Sequence, residues 1–134
     1  ACNSVNTPTF SIFGYSACII DFSLKCDNDQ QFFDFMGCSP KFDILDRTIA
    51  GSLKIQRPKG LSEKDFYAAA VASTSGAISF THGTAAGNRV AVSLPKVQLG
   101  APSPDDASGL AALTLPFTVR RTPGSSDAGT IAFT

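Results

Sequence analysis

Short runs of alternating apolar and polar residues, each about one strand long and each cut off by glycine, proline or aspartate, constrain this chain more than any other feature. In "LTLPFTV" the apolar positions are Leu113, Leu115, Phe117 and Val119, and in "RVAVSL" they are Val90, Val92 and Leu94. A period of two puts such residues on one face of a strand, so each run predicts a half-buried strand. The same reading covers "TFSIFGY" and "ACIIDFSLKC", the latter with Ile20, Phe22 and Leu24 on one face. It extends to "FFDF", "KFDILDRTIAGSLKIQR", "AISFTH" and "GTIAFT". The polar "CDNDQQ" is expected to break the second strand, and Gly51 to mark a bulge or bend in the long one.

One segment has helical character. In "LSEKDFYAAAVASTSG", Ser62 is placed to cap the first turn, Asp65 partly imitates a capping box, and Leu61 and Phe66 have staple spacing. The spacing predicts a helix over 62–73 that stops at Gly76. Seven or eight strands with one helix define a mainly β fold: an antiparallel β-sandwich or barrel of two packed sheets with one flanking α-helix. At 134 residues the whole chain, 1–134, reads as a single domain, with residues 1–8 as a flexible N-terminal arm. "GAPSPDDASG" and "TPGSSDAG" read as solvated loops.

Charge narrows the function classes. The 11 basic and 11 acidic residues cancel, so the chain lacks the basic excess of a protein that grips phosphates. No apolar run approaches the roughly 20 residues of a membrane span, so a soluble chain is expected. The cysteines Cys2, Cys18, Cys26 and Cys38 contain no C-x-x-C pair and only one histidine accompanies them, which argues against structural zinc. Reduced, partly buried thiols are favoured, with one or two disulfides as the alternative.

Chemistry-bearing patterns are sparse. His82 opens "HGTAAGN", where Gly83 and Gly87 have the wrong spacing for a phosphate loop and no helix follows. A hairpin connection is the favoured reading. Asp105 and Asp106 are adjacent, which on an extended segment sends them to opposite faces. "DND" at 27–29 begins like a calcium loop, but Gln31 and Phe32 fall where a ligand and glycine belong. No nucleophile elbow occurs, and no catalytic residue, cofactor or metal is assigned. The candidate interface is Asp46 beside Arg47 in mid-strand: either a solvated face or a salt bridge against a neighbouring subunit.

The order of "TFSIFGY", "ILDRTIAGSLKIQRP", "DFYAAAVASTSGAISFTHGTAAGN", "VAVSLPKVQLGAP" and "LTLPFTVRRTPGSSDAGTIAFT" resembles the tail tube (major tail) proteins of long-tailed bacteriophages, over about Thr9 to Thr134. The cysteine-rich first third departs from that pattern. The resemblance implies a structural virion protein, with a fold shared with the type VI secretion tube protein and with no catalytic residues. Six copies would form a ring, and rings would stack into a conduit in the phage tail, built in the bacterial host cytoplasm. The implied partners are further copies of itself, the tape-measure protein and other tail proteins. Genomic DNA would pass through without tight binding, and no membrane is involved. Assembly is expected through edge strands and loops rather than one large apolar patch. The alternative is a monomeric β-sandwich binding module, a decoration or adhesion domain presenting the loops at 27–40 and 101–109 to a receptor.

Overall fold

A computed structural model describes residues 5–7, 9–60, 63–121 and 128–134. Its strands are β1 (Thr9–Ile12), β2 (Tyr15–Ser16), β3 (Ile19–Phe33), β4 (Lys41–Gln56), β5 (Ser75–His82), β6 (Val90–Leu99), β7 (Ser103–Ala107), β8 (Leu110–Val119) and β9 (Thr130–Phe133), with one helix, α1 (Phe66–Val71). All strand pairings are antiparallel. The strands follow the order β2-β1-β5-β6-β8-β4-β3, with β7 on β8 and β9 on β6. The protein is therefore mainly β, as the alternation requires.

The sheet folds over on itself. Phe22 of β3 and Phe80 of β5 belong to strands separated by three others, yet their ring centroids lie 5.0 Å apart in an edge-on contact. Phe22 also stacks on Phe117 of β8 at 5.9 Å. Inside this fold lies one apolar core. Ile12, Leu53, Ile55, Phe66, Ile78, Val97 and Leu115 are its largest fully buried side chains, and no polar side chain is buried among the described residues. The expected inward sets on β6 and β8 hold: Val92 and Leu94, then Leu113, Leu115, Phe117 and Val119, are buried. On β6 the buried positions change parity to Val97 and Leu99, because the pairing with β5 shifts register between Gly76 and Ile78. Pro95, which cannot donate to a ladder, sits at that shift.

Several expectations need correction. "TFSIFGY" is a hairpin and not a single strand: Phe13 (φ 52°) and Gly14 (φ 77°) form the two-residue turn between β1 and β2. Ile20 leaves the inner face because the β3–β4 register shifts between Ile19 and Asp21, and it is exposed while Phe22 and Leu24 pack inward. "GAPSPDDASG" contains β7, which pairs with β8 through a turn at Ser108 (φ 56°) and Gly109 (φ 85°). The "TPGSSD" part of the other expected loop lies outside the described residues.

The helix is shorter than the expected 62–73. It begins at Phe66 with Asp65 as its N-cap, whose carboxylate accepts from the Ala68 amide at 2.9 Å. Leu61 and Ser62 lie outside the described residues. Six residues span only about 9 Å, too little to cross three strands. Its end is set by Ser73 in the left-handed region (φ 50°), with Ser73 N donating to Ala70 O and Thr74 N to Ala69 O. Gly76 has a different task. It lies within β5, where any Cβ would occupy the space of the Phe13 ring.

Gly51 is neither a bulge nor a bend. It pairs in register with Leu24 on one side and Phe117 on the other. A Cβ there would collide with the Ser23 carbonyl oxygen and press on the Phe117 ring. Gly51→Ala is therefore expected to destabilise the fold by about 1–3 kcal/mol, the usual cost of overpacking, read from the urea denaturation midpoint.

Candidate functional site: a projecting hairpin and a basic cleft

The last residue of β4 paired with β8 is Ile49; from there to Lys41, β4 has only β3 beside it. The polar "CDNDQQ" does not break β3 as expected. The strand runs on through Phe33, because side chains such as Asp27, Asn28, Gln30 and Gln31 are tolerated where neither face is in a core. Seven β3 residues, 27–33, give a two-stranded arm roughly 23 Å long beyond the body. The unpaired edge of β3 borders the whole sheet at this side.

The arm has two unlike faces. Residues directly opposed in an antiparallel pair share a face. Phe32 opposes Phe42 and Gln30 opposes Ile44, on the side that continues from Phe22 and Leu53 in the body. The Phe32 and Phe42 rings lie 4.9 Å apart, and Phe42 remains 75% exposed. The alignment depends on a bulge: the register shifts between Asp29 and Gln30, leaving Leu45 as the extra residue on β4 and turning Ile44 and Phe42 to this side. The other face is charged, with ion pairs Lys25–Asp27 at 3.0 Å and Lys41–Asp43 at 2.6 Å. On the first face Phe32, Phe42 and Ile44 are exposed together, beside the polar side chains of Gln30, Asn28 and Arg47.

Asp46 and Arg47 sit on this arm and do not pair with each other through their side chains. They occupy opposite faces. Arg47 Nε donates to Asn28 Oδ1 at 2.9 Å, across the ladder. Asp46 opposes Asp29, and its Oδ1 accepts from the Arg47 amide at 2.7 Å. All four side chains are exposed.

The thiols of Cys18, Cys26 and Cys38 are free and exposed, not partly buried as expected, because β3 and the arm tip lie at the surface. Cys2 is outside the described residues. His82 closes β5 before a connection to β6, as the hairpin reading requires. Its Nδ1 is 2.8 Å from Thr7 Oγ1, and Gly83 N donates to Asn6 O at 2.6 Å. Residues 6 and 7 of the expected flexible arm are thus bound to that connection. Gly83 (φ 100°) and Gly87 (φ 84°) take the positive φ values the turn needs.

At the far end of β4 lies a cleft of about 410 Å³. Tyr67 is the exposed aromatic member of its lining, Phe66 and Leu113 are almost fully buried core residues that reach it, and Arg57, Lys59 and Lys64 are its cationic members. Lys64 Nζ donates to Phe13 O at 2.8 Å, whereas the exposed Arg57 and Lys59 side chains have no carboxylate partner among the described residues. The Glu63 carboxylate lies beside this cluster, accepting from the Lys59 amide at 3.1 Å and the Tyr15 hydroxyl at 3.4 Å. This cluster was missed in the sequence because Arg57, Lys59 and Lys64 are separated by neutral and acidic residues.

Among the described residues, no group of histidine, cysteine and carboxylate side chains could hold a metal, and no helix is long and apolar enough to cross a membrane. No protein-family model matches the sequence, and no curated protein matches it at a significant level.

Asp105 and Asp106 point apart and form no dyad. Asp105 is in an ion pair with Lys54 at 2.8 Å and accepts from the Thr114 hydroxyl, while Asp106 Oδ1 accepts from the Gly109 amide in the turn. The Lys54 hydrogen bond, then the Asp106 amide, hold the Asp105 carboxyl below its ordinary value of 3.8. A lowered folded-state value stabilises the protein above 3.8, and the contribution disappears as pH falls through the lowered value. Asp105→Asn should therefore melt below wild type near neutral pH, with the difference in Tm closing as the pH is taken below 3.8.

Proposed function

We propose that this chain is a self-assembling structural protein, a tail tube subunit whose copies join into rings that stack as a conduit in a phage tail. The observation that carries the reading is the arm. A two-stranded ribbon is marginally stable alone in water, and this one exposes Phe32, Phe42, Ile44 and Leu45. Covering that face with protein recovers hydrophobic energy that the monomer leaves unrealised. The unpaired β3 edge beside it offers backbone donors and acceptors to a further strand. Mainly β architecture and the order of sequence motifs agree with the same reading. In that setting the partners are other copies and the remaining tail proteins, including the tape-measure protein.

Two outcomes are expected. In sedimentation velocity over a range of concentrations, the wild-type chain forms rings or longer assemblies, whereas Phe42→Asp remains folded by circular dichroism and stays monomeric. Wild-type chain that is monomeric at every concentration would favour the binding module instead. The second outcome concerns DNA. Three of the lysines are already in ion pairs, and the cleft brings together only Arg57, Lys59 and Lys64. With 11 basic residues balanced by 11 acidic ones, duplex binding no tighter than about 10⁻⁴ M at physiological salt is expected. Fluorescence anisotropy with labelled duplex checks this, and micromolar affinity falling steeply with salt would displace the conduit reading.

A further inference from the structure

We draw no further inference here: the strongest candidate, the exposed apolar patch of Ile131 and Phe133 on β9, whose one paired neighbour among the described residues is β6, carries nothing because no feature of the structure shows what covers it.

Discussion

Everything in the body depends on a close approach among aromatic rings over a position that has no side chain. Phe117 of β8 lies where a Cβ on Gly51 would be, Phe22 of β3 stacks on Phe117, and Phe80 of β5 meets Phe22 edge-on. Those contacts draw the β3 end of the sheet over toward β5, and they bring the faces of β1, β5, β6 and β8 into one core. Offset and edge-on ring pairs of this kind add to the stabilisation from apolar burial alone. Without that closure the sheet would leave one face of β4 and β8 in water. The same two strands position the arm and the cleft at their opposite ends.

Alternation made the body legible. Leu113, Leu115, Phe117 and Val119 form a strict two-residue repeat, and burial of all four follows from pleat geometry. The "HGTAAGN" turn was equally accessible, since glycine is the residue that accepts its backbone angles. Bulges were not legible, because a register shift is decided by two strands together. Ile20 and Leu45 each look like part of a periodic run, and only their partners on the facing strand make them extra. Helix length failed for a related reason: Ser62 and Asp65 both have capping chemistry, and tertiary packing around Phe66 favours the later start.

The arm was hidden by a rule that holds for cores. Polar runs such as "CDNDQQ" break strands that must bury a face, and here neither face of the strand is in a core. Its flanking apolar residues supplied a signal, since "FFDF" and "KFDIL" enclose a glycine- and proline-containing turn as the two sides of a hairpin do. Asp46 and Arg47 were found as an interruption of the apolar pattern, and the structure puts them on this exposed ribbon. Arg57, Lys59 and Lys64 gave no comparable signal. Their convergence arises from the end of β4 meeting the approach to α1, a relation set by the folded chain.

The continuity of β4 from core to tip has a consequence for how local stability is distributed. Near Leu53 and Ile55 its backbone hydrogen bonds lie between two strands beneath fully buried side chains, and opening them requires unfolding of the body. Near Phe42 the same strand has one neighbour and solvent on the other side, so its amides open locally at little free-energy cost. Hydrogen exchange along these 16 residues is thus expected to grade from global opening to local opening within a single element. Contact with a partner would order the weak end against a foundation that is already rigid, confining the entropy lost on association to the outer half of the ribbon.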